Sequence, residues 1–237
     1  MKSINKLLLG LLFVPMTLLS SCLDSNNTNN NPDERIMSVF ATLTTKTETG
    51  MVFTTSEYQG SPIVTYTTPV YEQFKGEVGN RYVIWFYKEA TATTPYVSGA
   101  VNLQQINEPF YGNVQFASLE EIQGNILNDA YCMYRHVGTG YLDITFYAPI
   151  EKEPKMFCAY VDQATADSAF PDVYLCYKPD LSYGTPQTFF GSFNMTDLFD
   201  RTTCEGFNLH FRSNNGTTYV QKFYTNGDKP EEPKPAQ

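Results

Sequence analysis

His136 and His210 are the only two histidines of this 237-residue chain, and histidine is the side chain best suited to acid–base chemistry near neutral pH. Two imidazoles are too few for a histidine-rich metal site, and the sequence contains no HExxH, GxSxG, Walker or GxGxxG motif. A hydrolase in which either histidine works with an acidic partner stays open, because catalytic triads are defined in space and not by sequence order. We expect a protein that is not an enzyme and that holds no metal ion and no cofactor.

A group of polar and aromatic side chains near the C-terminus is better suited to binding. The candidate binding face consists of Asn208, His210, Arg212, Tyr219, Gln221 and Phe223. Strand alternation places the first three together, and an Asn215-Gly216 turn is expected to bring the last three onto the same face. Rigid rings supply apolar area and polar groups fix orientation, so the expected ligand is a glycan or a protein. A solvated face, or one covered by another domain, is the alternative.

Cys22 follows an N-terminal segment that is typical of an export signal. Lys2 and Lys6 precede an apolar run over residues 7–19, which is shorter than the about 20 apolar residues of a spanning helix. The order Leu19-Ser20-Ser21-Cys22 resembles the bacterial lipobox, in which the cysteine thiol is acylated and becomes the first residue of the mature protein. We predict a signal peptide at 1–21 and a membrane anchor of acyl chains on Cys22. A plain secretory signal with a chance cysteine is the alternative.

The two ends of the mature chain are too polar to form a core of their own. Residues 22–34 are rich in Asn and Asp, so we expect a flexible tether between the anchor and the folded part. Residues 229–237 combine charge with proline, so we expect a disordered tail.

The composition between these ends is that of a globular protein, with 42% apolar and 17% charged residues. A formal net charge of -9 lacks the positive surface that phosphates require, so nucleic acid is excluded as a partner. From about residue 35 to 224 the dominant pattern is an alternation of apolar and polar residues, which predicts an all-β fold. A chain of this length usually divides, and we predict β-domains at 35–122 and 123–228.

Two segments show how individual strands are expected to face. Residues 141–146 alternate so that Asp143 lies on the wetter side of its strand, with Arg135 opposite it across a hairpin. Residues 81–87 are apolar on both sides, which predicts a central strand or one covered by the neighbouring domain. Trp85 lies within this run and is expected to serve packing.

Four cysteines remain once the anchor is set aside: Cys132, Cys158, Cys176 and Cys204. None belongs to a CxxC motif, and in an oxidising compartment the four allow three complete pairings. Because the chain is large enough to fold without disulfides, we expect buried free thiols.

Several short motifs, taken in their order and spacing, resemble a known family. They are Leu19-Ser20-Ser21-Cys22, Gly79-Asn80-Arg81-Tyr82-Val83, Gly140-Tyr141-Leu142-Asp143-Ile144 and Phe193-Asn194-Met195-Thr196-Asp197-Leu198. Together with the closing hairpin they resemble the NigD-like lipoproteins of Gram-negative gut and oral bacteria over nearly the whole mature chain. The resemblance implies an N-terminal OB-like barrel followed by a C-terminal Ig-like β-sandwich.

The resemblance also implies a lipoprotein of the outer membrane, on its periplasmic or cell-surface face. We predict a non-enzymatic binding or interaction module of the cell envelope, whose partner is an envelope protein or a glycan. Because the family is named after a bacteriocin locus, an immunity or protective factor against a toxic peptide is the alternative. A hydrolase is the third hypothesis.

Overall fold

The computed structural model describes the part of the chain in which the predicted strands lie. The described residues are 34–55, 63–70, 74–89, 98–123, 131–138, 140–149, 156–178, 186–212, 216–225 and 230–236. The predicted signal peptide, the anchor Cys22 and nearly all of the predicted tether lie outside these residues. The described residues all fall within one compact unit, Pro32–Gln237.

Strands are the dominant regular structure of the described residues and there is almost no helix, so the predicted all-β fold is confirmed. The strands are β1 Glu34–Lys46, β2 Gly50–Thr54, β3 Thr65–Pro69, β4 Arg81–Glu89, β5 Gly99–Ala100, β6 Leu103–Asn107, β7 Phe110–Asn113, β8 Gln115–Ala117, β9 Tyr131–Gly138, β10 Tyr141–Pro149, β11 Met156–Asp162, β12 Asp172–Lys178, β13 Pro186–Asn194, β14 Gly206–Arg212, β15 Thr218–Tyr224 and β16 Lys234–Pro235. Two short helices, α1 Leu119–Gln123 and α2 Thr196–Phe199, occupy connections. Neither described helix has the length or the apolar character to cross a membrane.

The first sheet has six strands in the order β5-β3-β2-β1-β4-β6. Its pairs are antiparallel except for the parallel pair of β3 with β5. A register shift between Leu43 and Thr45 marks a β-bulge or irregularity where β1 pairs with β2. Phe53, Tyr66 and Ile84 are among the buried side chains that fill its inner side. Alternation along these strands therefore gives the first sheet a core of its own.

Strand β4 is buried on both sides and lies between β1 and β6, which confirms the prediction of a central strand. Tyr82 and Ile84 point into the first core. On the other side, Trp85 lies against Phe190 of β13, with ring centroids 6.2 Å apart, and its indole N–H donates to Asn107 Oδ1. Trp85 thus serves packing between the first sheet and the later strands.

The later strands form two further sheets around a second core. One has four strands in the order β7-β13-β10-β9, and the other has six in the order β16-β15-β14-β12-β11-β8. Ile144 of the four-stranded sheet and Val173 and Phe207 of the six-stranded sheet belong to one buried cluster. Phe146 and Phe157 meet across the gap with ring centroids 4.0 Å apart. The two sheets therefore pack face to face.

Strand pairing changes from the first sheet to the other two between Asn107 and Phe110. β7 pairs with β13, and β8 pairs with β11, although both strands precede residue 123. Parallel pairs between strands so far apart in the chain leave no mark in local alternation. The two-domain division at 122/123 stays a prediction.

The C-terminal segment differs from the prediction of a disordered tail at 229–237. Its described part, residues 230–236, is ordered against a strand. Lys234 and Pro235 pair with β15 as strand β16, and the Ala236 N–H donates to the Thr218 carbonyl oxygen. Glu231 accepts a hydrogen bond from the Tyr224 hydroxyl at 3.0 Å. Pairing with an existing strand edge satisfies the backbone without a hydrophobic core, which the composition argument did not consider.

Candidate functional site

A buried ion pair joins the first sheet to the four-stranded sheet. The guanidinium of Arg81 on β4 donates from Nη2 to Asp143 Oδ2 on β10, and each side chain is 1% exposed. Arg81 Nε donates to Ser192 Oγ on β13 at 3.2 Å, and Nη1 donates to Thr42 Oγ1 on β1 at 3.3 Å. The Ser192 hydroxyl donates to Asp143 Oδ1 at 2.5 Å. Four strands thus meet at one satisfied polar network.

This network shows that two predictions about β10 are wrong. Asp143 lies under the first sheet and not on a wet face, and its cross-strand partner on β9 is His136, while Arg135 faces Ile144. The register differs by one residue from the predicted hairpin, and a one-residue slip moves every side chain to the other face. Arg135 instead contacts the second core, with its guanidinium 4.0 Å from the Phe211 ring centroid.

The same network brings a serine, an aspartate and a histidine onto three neighbouring strands, which invites comparison with a catalytic triad. Ser192 is fully buried, so a substrate cannot reach it, and its hydroxyl donates to the Asp143 carboxylate and not to an imidazole. Burial, with a smaller effect of the Arg81 charge, lowers the pKa of His136 from 6.5 to about 3. Burial raises the pKa of Asp143, while Arg81 and Ser192 oppose that rise. The arrangement supports cohesion between sheets and gives no support to hydrolysis by His136.

The second candidate lies on the outer side of the six-stranded sheet and is called here the His210 face. It is defined by Asp172 and Tyr174 of β12, Asn208 and His210 of β14, and Lys222 of β15. His210 Nε2 lies 2.8 Å from Asp172 Oδ1, and Asn208 Nδ2 donates to the same oxygen at 3.3 Å. The imidazole stacks on the Tyr174 ring with centroids 4.2 Å apart. The hydrogen bonds and the stack therefore fix the imidazole in place.

Two further aromatic rings, Phe170 and Tyr224, lie beside Lys222 of the His210 face. Lys222 Nζ lies 3.9 Å from the Phe170 ring centroid and 5.9 Å from that of Tyr224. The two rings meet edge to face at 5.6 Å. Glu231 of the C-terminal segment holds this end through Tyr224 and lies 3.9 Å from Lys222 Nζ.

The structure divides the predicted binding face between the two sides of its sheet. Asn208 and His210 lie on the outer side, but Tyr219, Gln221 and Phe223 pair with Phe211, Leu209 and Phe207 and share their inward side. Phe223 is buried, with its ring stacked 5.3 Å from that of Phe207. The predicted shared face is therefore wrong. The reason is the register of β14 with β15, in which Arg212 pairs with Thr218, one residue away from the register that a two-residue turn at Asn215-Gly216 would give.

Gln221 and Arg212 of the predicted face form hydrogen bonds within the protein. Gln221 accepts from Arg135 Nε at 2.8 Å and donates to the Glu231 carbonyl oxygen, so it joins the two sheets at their margin. Arg212 donates from Nε to the Gly216 carbonyl oxygen at 2.9 Å, within its own hairpin connection.

Asp172 and Tyr174 complete the His210 face and were not predicted from the sequence. β12 and β14 pair in parallel, with Asp172 opposite Asn208 and Tyr174 opposite His210. The alternation of Asp172-Val173-Tyr174 signals a strand with a buried Val173, but it does not say which strand lies beside it.

The side chains of the His210 face are better suited to binding a ligand than to catalysing a reaction. The hydrogen bond from His210, as the largest cause, lowers the pKa of Asp172, so a carboxylate is present at neutral pH. His210 contacts Asp172 and Tyr174, and no hydroxyl or thiol of a described residue is placed as a nucleophile on its Nδ1. Within the described ranges, no group of three or more His, Cys, Asp or Glu side chains is arranged to hold a metal ion.

Comparison with known proteins identifies structural neighbours only. No protein-family model matches the sequence, and the search of curated proteins also finds no match. A crystal structure of a NigD-like immunity protein from Bacteroides caccae is similar, with a TM-score of 0.55, 10% identity, and coverage of 83% of this chain and 97% of that chain. A protein of unknown function from Bacteroides vulgatus gives a TM-score of 0.58 at 11% identity, covering 80% and 90%.

A third neighbour is a protein from Parabacteroides distasonis that is described as toxin-related. Its TM-score is 0.57 at 13% identity, and the match covers 81% of this chain and 96% of that chain. Identities this low show a shared fold and nothing finer. At the level of the fold, they confirm the resemblance to NigD-like proteins that the sequence motifs carry.

Proposed function

We propose that the chain is a non-enzymatic lipoprotein of the cell envelope that binds a protein or a glycan through the His210 face. The observation that carries this proposal is the fixed arrangement of Tyr174, His210 and Asp172 on an outer sheet surface. These side chains are partly exposed and held by one another, so they lose little rotamer freedom when a ligand docks. Aromatic rings beside polar groups suit the apolar faces and hydroxyl edges of a sugar, or the aromatic centre of a protein interface.

Binding is tested on glycan arrays and on arrays of envelope proteins with the purified chain. A Tyr174→Ala variant removes the ring under His210 and should weaken retention about tenfold or more, the loss expected at a central aromatic contact. An Ile63→Ala variant is the matched control, because Ile63 is 55% exposed and lies in the segment before the first sheet's β3. Blank arrays with a natively folded protein would contradict the proposal.

The membrane anchor is a separate part of the proposal. Acyl chains on Cys22 would hold the folded part at the outer membrane, on either its periplasmic or its cell-surface face, by burial of hydrocarbon in the bilayer. A Cys22→Ala variant is expected in the soluble fraction, whereas the wild type sediments with outer-membrane vesicles. Recovery of the variant in the membrane pellet would contradict the anchor and leave the binding test unaffected.

The finer fold assignment also belongs to this proposal. We assign the first sheet to an OB-like barrel and the two later sheets to an Ig-like sandwich. The long bulged β1 paired with both β2 and β4, together with the parallel pair of β3 and β5, supports the first assignment. The common core between two facing sheets supports the second.

A second candidate function is protection against a toxic peptide by sequestering it. It is favoured by one observation, the fold shared with a NigD-like immunity protein from Bacteroides caccae. An immobilised bacteriocin-type peptide should then retain the wild-type chain and release it when free peptide is added. Failure of such peptides to bind would remove this candidate.

A further inference from the structure

Cys158 and Cys176 face each other across the antiparallel strands β11 and β12. They are direct register partners, so their side chains lie on the same side of the sheet. Opposite residues in such a ladder have Cα atoms about 4.5 or 5.5 Å apart, and both spacings lie within the range that a disulfide spans. Of the other two described cysteines, Cys132 faces Phe146 and Cys204 lies in a connection.

Helix α1 covers this pair. It begins with a capping box, in which Ser118 Oγ accepts from the Glu121 N–H and the Glu121 carboxylate accepts from the Ser118 N–H. Ile122 is fully buried in the same cluster as both cysteines, and its carbonyl oxygen lies 3.9 Å from Cys176 Sγ. The two sulfur atoms are thereby shielded from solvent and from larger reagents.

We propose that Cys158 and Cys176 form a disulfide that joins β11 to β12 beneath α1. Both are thiols in the structure, and the Cys158 thiol is turned toward Tyr160. Formation of the bond requires both thiols to turn toward each other, Cys158 away from Tyr160 and Cys176 away from the Ile122 carbonyl oxygen, and the backbone register permits this. For this pair the proposal replaces the expectation of free thiols, while Cys132 and Cys204 keep theirs.

The oxidant is an external disulfide, either of a thiol–disulfide oxidoreductase or of glutathione. The thiolate of one cysteine attacks an external sulfur, forms a mixed disulfide and releases one external thiol. The thiolate of the other cysteine attacks the protein sulfur of that mixed disulfide and releases the second external thiol. The two cysteines lose two electrons and two protons in total, and the external disulfide gains them.

The order of events follows from burial. Burial raises the pKa of Cys158 and raises that of Cys176 to about 12, so neither is a good nucleophile once α1 has docked. Oxidation therefore takes place in the unfolded chain or before α1 docks, and the helix then protects the finished bond. A folded, fully reduced chain should oxidise much more slowly than a refolding one.

The test is to refold the purified full chain in a buffer of oxidised and reduced glutathione and to count thiols in denaturant without reductant. Trypsin cleaves after Lys155 and Arg201 but not between Lys178 and Pro179, so Cys158 and Cys176 fall in one peptide, residues 156–201. That peptide should be lighter by two hydrogen atoms than its reduced form and should resist alkylation. Cys132 and Cys204 should both be alkylated.

Two sets of variants separate this disulfide from other pairings. Alanine at both Cys132 and Cys204 should leave the mass difference unchanged, whereas Cys158→Ala should abolish it. Complete alkylation of Cys158 and Cys176 in the refolded chain, or a cross-link from either one to another cysteine, would overturn the proposal. Because the defined buffer supplies the oxidant, the result does not depend on export, on the Cys22 anchor or on ligand binding.

Discussion

Arg81 and Asp143 form a buried contact between the first sheet and the four-stranded sheet, and we expect it to be sensitive to single substitutions. Both side chains are removed from water, and each relies on the other together with Ser192. A buried ion pair adds little over an apolar pair of the same shape, but an unpartnered buried charge is very unfavourable. The pair therefore specifies how the first sheet meets the four-stranded sheet more than it adds stability.

Arg81→Met is expected to lower the free energy of unfolding by about 3–5 kcal/mol, because it leaves the Asp143 carboxylate buried without its cation. The double variant Arg81→Met with Asp143→Leu should recover most of this loss. Lys234→Met is the control, since Lys234 is largely exposed and pairs with Glu231 at the surface, where an ion pair contributes little to stability. Urea denaturation measures all three variants. Equal effects of Arg81→Met and Lys234→Met would contradict the buried-pair account.

His136 makes stability depend on pH. Its folded pKa is about 3, against an ordinary value of 6.5, so the unfolded chain binds more protons between these values. The free energy of unfolding should then fall as the pH drops from 6.5 toward 3, by up to about 1.4 kcal/mol per pH unit, and should be free of this effect above 6.5. Urea denaturation of wild type and His136→Gln from pH 7 to pH 4 measures the slope. An unchanged slope in the variant would show that another group titrates.

The register of a hairpin sets which side chains of its two strands share a face, and the alternation in the sequence did not predict that register. The strands around Asp143 and His210 were predicted from alternation, and their existence is confirmed. Which residues pair was not predicted, because the registers of β14 with β15 and of β9 with β10 differ by one residue from those that the suggested turns would give. Alternation fixes the two faces of one strand, but only the register says which faces of two strands coincide.

Close strand contact leaves no room for a side chain at Gly206, the first residue of β14. A Cβ at this position would lie 2.0 Å from the Phe223 carbonyl oxygen, a backbone atom that cannot rotate away. Gly206→Ala should lower the free energy of unfolding by about 1–3 kcal/mol, the usual effect of overpacking. Gly112→Ala is the matched control, because no atom lies within 4 Å of its added Cβ. Thermal and urea unfolding compare the two, and equal stabilities would contradict the observed packing.

At the scale of the molecule, local pattern predicted the fold class but not the long-range pairings that build the sites. The apolar run at β4 correctly predicted a strand covered on both sides. The partners of its Arg81, Asp143 and Ser192, lie 62 and 111 residues away in the chain, and no local periodicity connects them. The parallel pair of β12 and β14, which brings Asp172 to His210, is equally non-local.

The central claim is that the chain recognises its partner through the His210 face, and it is tested most directly by affinity. Once a glycan or envelope protein is captured by the wild type, its Kd is measured by calorimetry for wild type, Tyr174→Ala, His210→Ala and the control Ile63→Ala. The account predicts that the first two variants weaken binding about tenfold or more while Ile63→Ala retains the wild-type Kd. Unchanged affinity in both His210-face variants, with folding intact, would contradict it.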